Sequence, residues 1–289
     1  MHFFRNITVT SLLLAQLAGY GFPSLSNPAL AHWPAVPVSQ QKERLEELKD
    51  KLRTDFADTI SIDSLFNDPT FQLEMKIFDR TKVNPENEVA FGSKDYKWYR
   101  EVLQIDKKIK EAPNFMRKYT DELRSAENKH GVDKRFIAGV LGIESGFKEG
   151  SKIGKYRAFN ALATLYVVTP KKEYAYRELK ELVIFSSRTG IPIFSFNSSY
   201  AGAIGCAQFI PSSLNRLFIG KYGKVEKSNP TNMTDCIHSV AYYLKSAGWN
   251  NSENGKIHEK SSRNWKALFS YNKSEPYVMA VIEISTSLK

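Results

Sequence analysis

Ile137, Val140, Leu141 and Glu144 stand at i, i+3, i+4 and i+7 within the run Phe136-Ile137-Ala138-Gly139-Val140-Leu141-Gly142-Ile143-Glu144-Ser145-Gly146-Phe147. On a helix this spacing puts a single carboxylate at the end of an apolar, core-facing stripe. A carboxyl group removed from water holds its proton more tightly, so it can deliver that proton to a leaving group near neutral pH. The partial negative charge of a nearby helix C-terminus acts in the same direction. Gly142 and Gly146 would leave room for a ligand. A salt bridge to Lys or Arg accounts for the same carboxylate without chemistry.

Two other segments offer groups that could hold a substrate against such an acid. Ser198 to Ser213 is rich in small residues and carries the Ser199 hydroxyl and the Gln208 amide, which suits close approach of backbone to a ligand. A tight structural loop leading into a helix from Pro211 has the same composition. Phe269-Ser270-Tyr271-Asn272-Lys273-Ser274, followed by Tyr277, pairs an aromatic face with an amide at a helix end. That pair suits the apolar face and hydroxyls of a sugar ring, although a buried Tyr beside a turn-capping Asn reads identically. The five histidines are isolated, and neither His-x-x-x-His nor Cys-x-x-Cys occurs, which argues against a zinc site. No phosphate-binding loop, dinucleotide fingerprint or Gly-x-Ser-x-Gly elbow is present; in Gly142 to Gly146 the serine falls one place late.

Helices must position these groups. An amphipathic helix is expected over Gln41 to Phe56, then turns around Asn67-Asp68-Pro69 and Asn84-Pro85 with a short apolar run from Phe71 to Phe78 between them. Tyr96 to Lys110 and Ala112 to Lys129 read as helices, and Asp133 as the cap of the Glu144 helix. Further helices are expected over Ala158 to Val168, Glu173 to Arg188, Ile237 to Ala247 with Asp235 as its cap, Trp265 to Tyr271 and Tyr277 to Leu288. The class is mainly α, with a minor β element near Ile191 to Phe196.

The chain has 289 residues and a formal net charge of +10. Such a charge attracts polyanions, cell-wall polymers included. The runs Lys107-Lys108-Ile109-Lys110 and Lys171-Lys172 are too short for a nucleic-acid tail and read as solvated helix faces, so no nucleic-acid partner is expected. Met1-His2-Phe3-Phe4-Arg5, the apolar segment around Leu12-Leu13-Leu14-Ala15 and the small-x-small pattern Ala29-Leu30-Ala31 read as a secretory signal peptide cleaved near Ala31. The apolar run is shorter than the roughly 20 residues of a membrane span, so no transmembrane anchor is expected after cleavage. Cys206 and Cys236, the only cysteines, either pair in an oxidising compartment or are two small buried residues.

Taken in order, Ile143-Glu144-Ser145-Gly146-Phe147, the run Ser199-Tyr200-Ala201-Gly202-Ala203-Ile204-Gly205 leading to Gln208-Phe209-Ile210-Pro211-Ser212-Ser213, and Tyr271-Asn272 resemble the lytic transglycosylase B family, glycoside hydrolase family 103. The likeness extends to Gly154-Lys155, to Ala161-Leu162-Ala163-Thr164-Leu165 and to Val240-Ala241-Tyr242-Tyr243-Leu244 before Gly248-Trp249, so it spans the chain from about Leu45. It implies a lysozyme-like helical fold; after the leader read over residues 1–31, residues 32–110 are expected as an N-terminal helical segment packed on the core and 111–289 as the catalytic domain. It also implies a periplasmic or secreted enzyme acting on peptidoglycan glycan strands.

In that family a single acid, here Glu144, protonates the oxygen between N-acetylmuramic acid and N-acetylglucosamine. It then takes the proton of the muramyl C6 hydroxyl as a 1,6-anhydro ring closes. By the same resemblance, Ser145, Ser199, Gln208 and Asn272 bind sugar or hold the acid, and Tyr243, Tyr271 and, on a looser alignment, Tyr99 line the groove. This chain departs from many relatives in carrying Lys148 beside the Glu motif. It also has only Glu226 and Asp235 as carboxylates in Phe218 to Asp235, where some relatives carry a cation loop. Two carboxylates are too few for calcium, and no metal or cofactor is expected. Two other functions fit the residues. One is a hydrolytic muramidase using Glu149 or Glu173 as a second carboxylate, on normal or deacetylated peptidoglycan. The other is a non-catalytic wall-binding protein.

Overall fold

The computed structural model describes residues 36–57, 60–77, 95–150 and 153–288. The leader read over residues 1–31, the turn at Asn84-Pro85 and Phe78 lie outside them. In chain order the described helices are α1 (Val38–Phe56), α2 (Ile62–Phe66), α3 (Tyr96–Leu103), α4 (Ile105–Lys118), α5 (Thr120–His130) and α6 (Lys134–Ser145). A strand, β1 (Tyr156–Arg157), precedes α7 (Ala158–Val168) and α8 (Lys172–Thr189). After β2 (Asn197–Ser198) come α9 (Pro211–Leu217), α10 (Met233–Ser246), α11 (Arg263–Tyr271) and α12 (Glu275–Thr286). The fold is mainly helical with one small antiparallel sheet, in which Tyr156 faces Ser198 and Arg157 faces Asn197.

Two helices are enclosed on all sides. The apolar stripe of α6 predicts one buried face, yet every residue from Phe136 to Ser145 is buried, because α4, α5, α10 and α12 all pack against it. A helix that is apolar around its whole circumference is stable only when surrounded. The other is α7, buried from Ala158 to Val168 between α1 and α8. Leu48, Leu52 and Phe56 of α1 turn inward toward the core, as their spacing predicts. Buried side chains from α1 through α12 form one continuous cluster, and the expected boundary at residues 110 and 111 falls inside α4. Among the described residues, no helix is long and apolar enough to cross a membrane.

Local chemistry corrects several boundaries. The split expected near residue 111 lies instead at Gln104, in left-handed backbone with φ 53°, and at Tyr119. Pro113 sits inside α4. It removes one helical donor, but Ile105, Ala112 and Phe115 are buried on the same helix, and that packing carries it past the proline. Asp133 caps α6 as expected, accepting from the Arg135 amide at 2.9 Å. In α10 the cap is Asn232 rather than Asp235; the Asp235 carboxylate instead accepts from the Lys221 and Asn229 amides, both at 2.9 Å. The β element expected near Ile191 to Phe196 lies at Asn197–Ser198. Pro192 lacks a donor for a ladder, and Ile193–Ser195 closes as a 3-10 turn on the Pro192 carbonyl.

His130 of α5 and His238 of α10 are buried with ring centroids 5.9 Å apart. Burial pushes both imidazoles down to about 4, with Lys129 adding to the effect. A histidine held neutral in the fold but free to protonate in the unfolded chain stabilises the protein above the unfolded value. That stability is lost as pH falls from about 6.5 to about 4. His238→Phe should therefore flatten the pH dependence of the urea midpoint in this window, by on the order of 2 kcal/mol across it. An unchanged pH slope would show that the pair does not carry the effect.

Candidate active site

Glu144 lies in the last turn of α6 at 2 % exposure, and its Oε1 accepts a hydrogen bond from the Tyr277 hydroxyl at 2.6 Å. Tyr277 lies in the first turn of α12, which packs along α6. Burial, with the Glu144 charge beside it, raises the Tyr277 hydroxyl well above its ordinary range, so it stays a donor. Tyr271 stacks on Tyr277 with ring planes 8° apart and centroids at 6.4 Å, and it is raised for the same reasons. Tyr243 meets Tyr271 at 4.6 Å, and both rings remain partly exposed. An aromatic series thus leads from the acid to the surface.

The loop from Ser199 to Ile210 is held from several directions. The Tyr271 hydroxyl donates to the Ala207 carbonyl at 2.6 Å, and the Tyr174 hydroxyl to that of Ala201 at 2.9 Å. The carboxylate of Glu178 on α8 is buried and accepts from both the Ser212 amide and hydroxyl at the start of α9; burial raises its proton affinity, and the Ser212 bonds oppose that. A disulfide joins Cys206 to Cys236 on α10, tying the loop to that helix. The Ser199 oxygen accepts from the Ala201 and Ala203 amides, each at 3.2 Å, so its own proton remains available to donate.

Gln208 and Asn272 each keep a buried polar atom that this scaffold does not saturate. Gln208 is buried in left-handed backbone, and its Nε2 donates to the Gly205 carbonyl at 2.7 Å. Its Oε1 and the Asn272 Nδ2 are buried with no hydrogen-bond partner among the described residues. A buried polar atom left so costs about 1–3 kcal/mol. A ligand bearing both donors and acceptors would recover that cost.

The structure brings some of the sequence-derived residues together and sets others apart. Tyr271 connects the loop to the aromatic series, and Tyr271 and Tyr277 connect it to Glu144. Ser145 is turned away, donating to the Leu141 carbonyl of its own helix at 3.0 Å. Tyr99 is fully buried in the core and stacked on Tyr96. The room expected at Gly142 is filled, since a Cβ there would lie 2.7 Å from the Phe147 ring. Gly205 likewise gives way to the Pro230 carbonyl rather than to a ligand.

Two residues near Glu144 were not assigned a role from sequence. One is Tyr277, whose partner lies 133 residues away, a separation no periodicity reports. The other is Lys108, expected on a solvated face but buried at 5 % exposure. Its place on the stripe Ile105, Lys108, Ala112, Phe115 is the signal that could have revealed it.

The chain is similar to known proteins in sequence and in fold. The family model "Transglycosylase SLT domain" matches residues 40–261. The membrane-bound lytic murein transglycosylase B of Escherichia coli K12 is 32% identical over 152 residues, which is 52% of this chain and 41% of that protein. The chain thus aligns with less than half the length of that curated relative. Among solved structures, the catenated lytic transglycosylase SltB1 of Pseudomonas aeruginosa superposes with a TM-score of 0.68 at 23% identity, covering 85% of this chain and 96% of that one. SltB3 of the same organism, in complex with NAG-NAM-pentapeptide, gives 0.67 at 19% identity over 84% and 79%. These two likenesses are of fold.

Proposed function

Because the chain belongs to the transglycosylase SLT domain family, we propose that it is an exported lytic transglycosylase that cleaves the β-1,4 bond between N-acetylmuramic acid and N-acetylglucosamine in peptidoglycan. Glu144 gives its proton to the bridging oxygen as the bond to the muramyl C1 breaks. The resulting carboxylate takes the proton of the C6 hydroxyl, and that oxygen closes on C1 as a 1,6-anhydro ring. No water is consumed, and Glu144 ends protonated, ready for the next strand. The N-terminal signal pattern supports export to the periplasm or beyond.

The observation that carries the reading is that the carboxylates which could serve as a second catalytic group are each engaged elsewhere. Asp133 and Asp235 are committed to backbone amides, and Glu178 to Ser212. Glu149 is bound by Lys118 at 2.7 Å and by the Tyr119 hydroxyl; the Lys118 bond holds its proton affinity below the usual carboxylate range. Glu173 is 78 % exposed beside Lys51. A retaining hydrolase needs a second carboxylate about 5 Å from the first, and an inverting one needs a base that activates water. A single acid with a hydroxyl neighbour fits internal ring closure instead. Tyr243 and Tyr271 supply apolar faces for sugar rings, while Ser199, Gln208 and Asn272 supply hydrogen bonds for their hydroxyl and acetamido groups.

Mass spectrometry of digested peptidoglycan tests the reading. Muropeptides one water lighter than hydrolytic products are expected throughout the digest. A digest made only of reducing sugars would replace it with a muramidase.

A further inference from the structure

Lys108 of α4 is the one buried lysine of the described residues, and its Nζ donates to the Gly142 carbonyl at 2.8 Å. That carbonyl also receives the Gly146 amide, which caps α6 at 3.1 Å. A Cβ placed at Gly146 would lie 3.5 Å from Nζ, so the ammonium sits against the C-terminal turn that carries Glu144. Burial of a cation is costly, and a tie between α4 and α6 needs only a neutral donor. The charge calls for its own explanation, and the negative end of the helix dipole with a carboxylate beside it supplies one.

We propose that Lys108 is a positioning residue for the reaction: its ammonium, anchored on the Gly142 carbonyl, offsets the negative end of α6 and strengthens Glu144 as an acid by favouring the carboxylate left after proton transfer. The proposal rests on the reading of Glu144 as the acid and base. Burial lowers Lys108 to about 8, with Glu111 and Glu144 acting against the fall and Lys148 and Lys107 adding to it. Below that value the residue carries its charge.

Among the described residues, the other groups named beside Glu144 do not duplicate this role. From α12, Tyr277 donates a hydrogen bond but carries no charge; Tyr271 of α11 is likewise held neutral by burial, and Tyr99 of α3 lies within the influence of Tyr277. His130 and His238, on the two remaining helices against α6, are turned to each other. Lys148, in the turn after Glu144, is exposed, and water screens it. Lys107 is exposed, and water screens it likewise.

The pH dependence of kcat/KM on isolated glycan strands, with thermal melts alongside, tests Lys108→Met and Lys108→Arg. A nearby cation lowers a carboxyl group's proton affinity, so removing it should move the basic limb of the profile upward by about one pH unit in Lys108→Met. Lys108→Arg, which keeps the charge, should leave the limb at its wild-type position. If Lys108→Met does not melt cooperatively, Lys108→Gln makes the same comparison with a neutral donor for the Gly142 carbonyl. A folded neutral variant whose limb stays at the wild-type pH, whatever its loss of rate, overturns the proposal and reduces Lys108 to packing. Full activity in Glu144→Gln would instead overturn the assignment of the acid, and with it this inference.

Discussion

Glu144→Gln should lower the release of soluble fragments from purified peptidoglycan by about 10³-fold, within the range that general acid and base catalysis contributes. The amide matches the carboxylate in shape and can still accept from the Tyr277 hydroxyl, which is 2.6 Å from Oε1 in the native protein. The variant should therefore fold and melt close to wild type. Its defect is chemical, since an amide can neither deliver a proton to the bridging oxygen nor take one from the C6 hydroxyl. Binding should survive, because Gln208 and Asn272 keep their buried polar atoms available to sugar. Turbidity clearance and fragment release are the readouts, with retained pull-down on insoluble wall as the control. Activity within tenfold of wild type would remove Glu144 from the mechanism and favour a wall-binding function.

The second large effect concerns stability. Cys206 and Cys236 are joined across a sequence separation of 30, and both are fully buried. Releasing that constraint restores chain entropy to the unfolded state, which for a loop of this size amounts to about 3–4 kcal/mol. Urea unfolding of the Cys206→Ala/Cys236→Ala variant should show a loss of that order, and reductant should reproduce it in the wild type. A change below about 1 kcal/mol would mean that the bridge adds little to what surrounding bonds already provide. Those bonds include the Cys206 amide on the Pro230 carbonyl at 3.0 Å. The bridge also bears on the site, because Cys206 lies two residues before Gln208 in the loop that Tyr271 holds from the other side.

Local patterns carried much of this molecule. The leucine spacing of α1 and the Asp133 cap follow from helical geometry and the need to satisfy end donors, both of which act over a few residues. Glu144 was legible for the same reason: its place on the α6 stripe implied burial, and it is buried. The helix breaks were less legible because Pro113 is a strong local signal that packing overrode, whereas Gln104 carries almost none.

The sequence by itself determined a mainly helical chain with one acid on a buried stripe, a loop rich in small residues and a Tyr-Asn pair, because periodicity and composition are properties of neighbouring residues. Tertiary structure decided what those groups meet. It set Tyr277 on Glu144, brought the Lys108 ammonium under the end of α6 and filled the space at Gly142 with Phe147. Each of these is a contact between a side chain and a group elsewhere in the packed fold, where burial strengthens charge and hydrogen bonding. Whether a carboxylate works as an acid depends on those contacts, and they exist only once the helices that carry them have come together.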